Sequence, residues 1–133
     1  MLLDDLKDYL VSYGVQSTGW TIWKGNVPDD GDQVIAVQET GGYPPVEINR
    51  ENVLVKFQLL VRARRMDYQV GRAKWKECYR LLQDAKEVPG SPVLLPGYTL
   101  IQAISGIDGP NTWSDPKGRQ CFTSSFRVKK VND

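Results

Sequence analysis

Three aspartates in one short segment are the clearest candidates for chemistry in the chain. Asp29, Asp30 and Asp32 lie in the run N-V-P-D-D-G-D at positions 26–32. Carboxylates at close spacing can bind calcium, but the remaining ligand positions of an EF-hand loop and its closing glutamate are missing. Aspartate beside proline and glycine is typical of turns, where its side chain bonds to nearby backbone. The pattern therefore predicts a loop with turn-forming aspartates and no metal site.

The residue types needed for common catalytic sites are absent or isolated. The chain has no histidine, which excludes Ser-His-Asp and Cys-His catalysis and the usual imidazole metal sites. Cys78 and Cys121 are far apart in sequence and cannot complete a zinc site alone, so we predict two reduced, buried thiols. Paired carboxylates can perform acid–base catalysis, but no nucleophile–base pair stands out. The sequence predicts a protein that is not an enzyme and needs no cofactor.

Basic residues form a stripe on a predicted helix. Arg72, Lys76 and Arg80 recur at i, i+4 and i+8, a spacing that can follow a phosphate backbone. Acidic residues interrupt the surroundings, and no aromatic residue interleaves on the exposed side, which favours a solvated or salt-bridged face. The formal net charge of +1 gives no global argument for nucleic-acid or membrane binding. A small nucleic-acid-binding module, or another small interaction module, nevertheless remains the alternative function.

The element that organises the rest is a strand predicted over residues 53–65. Phe57, Leu59 and Val61 fall on one face at period two, while mostly polar side chains fall on the other. Sheets with one buried face are usually antiparallel, with helices on the apolar side. The other predicted elements are helices over residues 2–13 and 69–86 and strands over residues 20–24, 34–39, 98–107 and 119–131, with a turn-rich loop over residues 108–118.

These elements predict a single α+β domain over residues 1–133. We expect a mostly antiparallel sheet of about four to six strands, with two main helices packed on one face. The predicted core comprises Leu6, Leu10, Val55, Phe57, Leu59, Trp75, Cys78, Leu82, Phe122 and Phe126.

The segment from Gly25 to Pro45 resembles a known family. It reads G-N-V-P-D-D-G-D-Q-V-I-A-V-Q-E-T-G-G-Y-P-P, with Pro28-Asp29, an apolar strand, and then Thr40-Gly41-Gly42. This order is similar to that in the minor capsid or tail terminator proteins of long-tailed bacteriophages. A short N-terminal helix, a long strand followed by a helix, and a terminal strand pair extend the resemblance across most of the chain.

The resemblance implies a structural virion protein of a phage or prophage. Members of this family form hexameric rings that end the tail tube and join it to the head connector. The implied partners are copies of the chain itself, the tail tube protein and a head-completion or connector protein, with DNA only in transit. The chain lacks the features of a signal peptide and any apolar run of the roughly 18 residues that span a bilayer. We therefore expect synthesis in the bacterial host cytoplasm, incorporation into the virion and no membrane partner.

Two groups of residues are predicted to contact partners. A strand over residues 53–65 would run roughly 40 Å, so we expect the end with Arg62, Arg64 and Arg65 to project past the core. These arginines are predicted to meet Asp29, Asp30 and Asp32 of the next subunit, and glutamate at Arg62 and Arg64 is expected to leave the fold intact. Edge protection by charge and lining of a DNA channel remain the alternatives. The predicted partner-facing loops contain Asn26, Pro28, Gly41, Gly42, Tyr43 and Pro44.

Overall fold

A computed structural model of the chain describes ten helices and strands and the segments beside them. The described residues are 2–16, 19–25, 27, 29, 31–39, 46–47, 52–83, 93–94, 100–107 and 109–131. In chain order the elements are α1 (Leu2–Ser12), β1 (Thr21–Lys24), β2 (Val34–Glu39), β3 (Val46–Glu47), β4 (Asn52–Ala63), α2 (Tyr68–Gln83), β5 (Val93–Leu94), β6 (Leu100–Gly106), β7 (Asn111–Ser114) and β8 (Gln120–Val131).

The centre of the sheet is the pair formed by β4 and β8. The two strands are antiparallel and stay in register from Asn52 opposite Val131 to Ala63 opposite Gln120. The strand order is β1-β2-β4-β8-β6-β5, with β3 beside β4 and β7 beside β8. Every pairing is antiparallel except that of β1 with β2, which is parallel. The predicted α+β fold with a mostly antiparallel sheet is confirmed. The predicted long strand is confirmed as well, but it ends at Ala63, two residues before the predicted end.

Both helices pack on one face of this sheet. Phe57, Leu59 and Val61 point into a single buried cluster that also takes in the apolar faces of α1 and α2. The ring of Phe57 stacks on the ring of Phe126 across β4 and β8, with centroids 5.1 Å apart. Because strand side chains alternate, the same strands present a second, more polar face away from the helices.

Close approach of α2 to the sheet depends on a glycine. A Cβ added at Gly71 would lie 2.6 Å from Phe122 Cε2 and 2.8 Å from Ala63 Cβ. One turn further on, Trp75 Nε1 donates a buried hydrogen bond of 2.8 Å to Ser124 Oγ. The bond joins α2 to β8 and supplies the acceptor that a buried indole N–H needs.

The predicted core is confirmed wherever its side chains are described, and only the Val55 side chain lies outside the described residues. Both cysteines are buried free thiols, as predicted. The loop predicted over residues 108–118 is wrong in part, because β7 lies within it and pairs with the start of β8. The Gly-Pro and Asp-Pro pairs that flank β7 favoured a loop, and only tertiary pairing makes this segment a strand. The two-residue strands β3 and β5 are too short to show a sequence period.

Candidate subunit-contact surface at the end of the long strand

A buried arginine organises the end of the sheet where β4 finishes and β8 begins. The Arg119 side chain is 5% exposed. Its Nε donates to Asp115 Oδ2 at 2.7 Å, and its Nη1 and Nη2 donate to the Asp29 carbonyl at 2.6 Å and to Asp29 Oδ1 at 2.7 Å. Burial would lower the pKa of Arg119, but its hydrogen bonds to Asp115 and Asp29 raise that pKa above the usual value. Arg119 therefore holds a permanent positive charge that its own chain satisfies.

The turn before β8 supplies the inner carboxylate of this cluster. In the run D-P-K-G at positions 115–118, the Gly118 N–H donates to the Asp115 carbonyl at 2.9 Å, and Gly118 has a φ of 79°. Asp115 Oδ1 accepts the backbone N–H groups of Lys117 and Arg119 at 3.0 and 2.9 Å. Burial acts to raise the pKa of Asp115, but these hydrogen bonds and the guanidinium lower it on balance.

The acidic loop before β2 is bound to this turn within the same chain. Asp29 Oδ2 pairs with Lys117 Nζ at 2.7 Å, while Asp29 Oδ1 pairs with Arg119. The hydrogen bonds from Lys117 and then from Arg119 lower the pKa of Asp29. Asp32 stands further off, 3.8 Å from Arg119 Nη1, and its side chain is 58% exposed. Asp30 lies outside the described residues. We call Asp29, Asp32, Asp115, Lys117 and Arg119 the Arg119 cluster.

The predicted exposure of Arg62 is wrong. Arg62 is 7% exposed, and its Nη2 donates to the Gly31 carbonyl at 2.5 Å. It lies opposite Val34 of β2 on one side and Cys121 of β8 on the other. Because β4 is paired on both sides at this point, its end does not project past the core. Arg62 therefore anchors the acidic loop to the sheet.

Arg64 and Arg65 follow the last paired residue of β4, and both are exposed. Neither forms an ion pair with any residue that the structure describes. Arg65 lies against the turn before β8, since a Cβ at Gly118 would lie 3.2 Å from Arg65 Cδ. Met66 comes next, 85% exposed and with a positive φ of 71°. We call Arg64 and Arg65 the basic end, and it stands directly beside the Arg119 cluster.

The predicted partner-facing loop residues Asn26, Pro28, Gly41, Gly42, Tyr43 and Pro44 lie outside the described residues. Within the described ranges, no group of three or more Cys, Asp or Glu side chains is placed to hold a metal ion. Neither α1 nor α2 has the length and apolar character needed to cross a bilayer.

Sequence reasoning missed the central residue of this surface. The run D-P-K-G has aspartate, proline and glycine at the positions that favour a type I turn, so the turn before β8 could be predicted from the sequence. The burial of Arg119 could not be predicted, because it depends on a loop 88 to 90 residues away in sequence. A solitary arginine at the start of a strand gives no signal of such a partner.

Comparison with solved structures finds the same fold in another protein. One chain of the virion of a native gene transfer agent particle superposes with a TM-score of 0.69 at 10% sequence identity. The match covers 98% of this chain and 95% of that chain, so the two share the whole fold. No curated protein sequence matches significantly.

The family of the chain is shown by a match to a protein-family model. The model for the bacteriophage tail terminator protein matches residues 9–93, which is more than half of the chain. The chain therefore belongs to the bacteriophage tail terminator family, and it is a structural tail protein. The resemblance found in the segment from Gly25 to Pro45 is confirmed.

Proposed function

We propose that this protein assembles into a ring that ends the tail tube and joins it to the head connector. The family resemblance implies that the ring has six subunits. Its partners in this proposal are copies of itself, the tail tube protein and the connector, and its place is the virion, after synthesis in the host cytoplasm. The match over residues 9–93 supports the tail role. No catalytic step belongs to the proposal.

The observation that supports the ring is the exposed basic end, which lies beside an acidic loop whose Asp32 is only loosely held. Arg64 and Arg65 are exposed and have no acidic partner among the described residues. Both carboxylate oxygens of Asp29 are used within the chain, whereas Asp32 is exposed and only loosely held. We infer that the basic end of one subunit meets Asp32, together with Asp30, of the next subunit. Arg62 and Asp29 then keep the acidic loop in position for that contact.

Such a contact joins two different surfaces of the same chain. Head-to-tail contacts of this kind close into a ring when the rotation between subunits allows it. Arginine suits the role, because its planar guanidinium binds carboxylates through two parallel hydrogen bonds. Charge pairs at an interface also select the register in which two subunits dock.

The test is a charge reversal at the basic end with a matched control on α2. We expect Arg64→Glu with Arg65→Glu to abolish or weaken ring formation in sedimentation velocity and to leave tails unfinished in electron micrographs of particles. Arg72→Glu with Arg80→Glu makes the same change in net charge at two other exposed positions and is expected to sediment like the wild type. Circular dichroism and a thermal melt should show both proteins folded.

A compensating variant, in which the two charges of the proposed pair are exchanged, makes the test more specific. Asp32→Arg added to the double variant is expected to recover part of the ring formation, because it places opposite charges at the contact again. If the variant with glutamate at Arg64 and Arg65 assembles normally, the proposed subunit interface is wrong. A wild type that binds duplex DNA with a steep salt dependence, lost in the same variant, would instead favour the channel or nucleic-acid role.

The predicted loops belong to the same proposal. We propose that residues 26–31 and 41–47 face the neighbouring virion proteins, since loops held by flanking strands commonly carry contacts. Hydrogen exchange of their amides is then expected to be slower in assembled particles than in the free protein. Equal exchange rates in the two states would contradict this assignment.

A further inference from the structure

A groove between the two helices lies on the side of the molecule away from the sheet. It has a volume of about 430 Å³ and is lined by Tyr13, Ala73, Lys76, Glu77, Arg80 and Leu81. The residues from α2 recur at i, i+3, i+4, i+7 and i+8, so they form one continuous stripe of the helix surface. We call this feature the helix groove.

The walls of the helix groove are held in place by contacts between the helices. Tyr9 donates its hydroxyl hydrogen to the Leu81 carbonyl at 2.8 Å, and the Tyr9 ring lies 5.1 Å from the Tyr13 ring. Lys74 Nζ donates to the Val15 carbonyl at 3.1 Å. The Tyr13 ring is nevertheless 59% exposed, so it presents an aromatic surface on a preformed wall. Exposed aromatic rings beside apolar positions are enriched at protein contacts.

The charge at the helix groove is positive. Glu77 is neutralised by Lys74 at 2.9 Å, whereas Lys76 and Arg80 are exposed and form no ion pair with a described residue. Arg72 extends the same row one turn towards the start of α2. An occupant that matches this surface carries carboxylates on either side of an apolar side chain.

We propose that the helix groove binds an acidic, partly apolar polypeptide segment of another protein. Its apolar side chain lies against Tyr13, Ala73 and Leu81, and its carboxylates pair with Lys76 and Arg80. Segments of this kind dock into preformed grooves between helices through a few apolar anchors. The helix groove shares no residue with the basic end, so the inference does not depend on how the ring closes.

A protein segment fits this groove better than a nucleic acid does. Phosphate contacts would use the cations but would leave the apolar lining of the groove in water, where it contributes nothing. Single-stranded nucleic acid binds along rows of aromatic side chains, and the helix groove offers one ring, that of Tyr13. The apolar lining and the two flanking cations together are matched by an acidic peptide.

Three fluorescent probes test the proposal on the full chain. The first is a peptide of about 14 residues with leucines at helical spacing and glutamates between them. In the second, every glutamate is replaced by glutamine, and the third is a short DNA duplex. Fluorescence anisotropy is expected to show that the acidic peptide binds and that the glutamine peptide binds at least about tenfold more weakly.

Two variants and a control locate the binding. Lys76→Glu with Arg80→Glu is expected to weaken binding of the acidic peptide by about tenfold or more, and Tyr13→Ala to weaken it as well. Arg64→Glu with Arg65→Glu makes the same change in net charge elsewhere and is expected to bind like the wild type. Lys76→Glu with Arg80→Glu is also expected to form rings normally, which separates this inference from the proposed ring contact.

Several outcomes would overturn the inference. These are absence of binding by the acidic peptide at millimolar concentration, equal binding of the glutamine peptide, equal loss in the control variant, and tighter binding of the DNA duplex. In assembled particles, a photocrosslinker replacing Ala73 is expected to capture an acidic segment of a different protein. A crosslink to another copy of this chain, or to no protein, would contradict the assignment.

Discussion

Replacing Arg119 with methionine tests whether the Arg119 cluster stabilises the fold. Methionine keeps the length of the side chain but removes the guanidinium. Its loss leaves the Asp115 carboxylate, 13% exposed, without its charged partner, and the Asp29 carbonyl without a donor. A hydrogen bond between charged groups contributes about 1.5–3 kcal/mol, and one to a neutral carbonyl about 1 kcal/mol. The ion pair with the exposed Asp29 carboxylate adds little, because water screens it.

We therefore expect Arg119→Met to lower the free energy of unfolding by about 3 kcal/mol at neutral pH. The effect should depend on pH in a defined direction. The pKa values of Asp115 and Asp29 are lowered in the folded protein. Groups with lowered pKa values stabilise the fold above the unfolded pKa of aspartate, about 3.9, and lose that contribution as the pH falls through the folded pKa. The difference between wild type and variant should be complete above about pH 5 and should shrink below about pH 4.

Urea unfolding followed by tryptophan fluorescence at neutral and acidic pH measures both parts of this expectation. Lys117→Met is the matched control, since it also removes a cation that pairs with Asp29, but from a side chain that is 57% exposed. It should change the stability little. A variant at Arg119 as stable as the wild type at neutral pH would refute the reasoning. So would a loss of stability that stays constant down to low pH, because the carboxylates would then play no part.

Two further substitutions test the packing of the core. Phe57→Ala removes a ring that is 1% exposed and should lower the free energy of unfolding by about 3–5 kcal/mol, so a neutral denaturant melt would place Phe57 outside the core. Gly71→Ala should lower the melting temperature even though alanine favours helices by about 1 kcal/mol, because the new Cβ would lie 2.6 Å from Phe122 Cε2 and force α2 away from the sheet. A higher melting temperature for Gly71→Ala would show that α2 moves without cost.

The features that local pattern determines were predictable from the sequence. The period of two in β4 and the period of 3.6 in α1 and α2 predicted the fold class and the core, because the residues of each buried face recur at a regular spacing within one segment. Phe57 and Leu82 were assigned to the core in this way, and both are buried. The strand β7 was missed because its pairing with β8 is a tertiary interaction.

The candidate site was predicted less well, because it depends on which loops meet. Asp29 and Arg62 were singled out as charged residues of a subunit contact, but both are bound within their own chain. Their actual partners were not predicted, because Arg119 binds the acidic loop of the same chain across a sequence separation of 90 residues. An excess of charge is visible in sequence, whereas the pairing of charges requires the register of the sheet.

The place where pairing stops decides which arginine can contact a neighbour. Arg62 lies one residue inside the last pair of β4 and β8, Ala63 with Gln120, and its guanidinium is buried on the Gly31 carbonyl. Arg64 lies just beyond that pair and is exposed. Glutamate at Arg62 would place a carboxylate next to a carbonyl oxygen in a buried site, which is costly because both groups are acceptors. A double variant at Arg62 and Arg64 should therefore unfold at lower urea concentration, contrary to the prediction from sequence. Only substitutions beyond Ala63 separate a loss of subunit contact from a loss of fold.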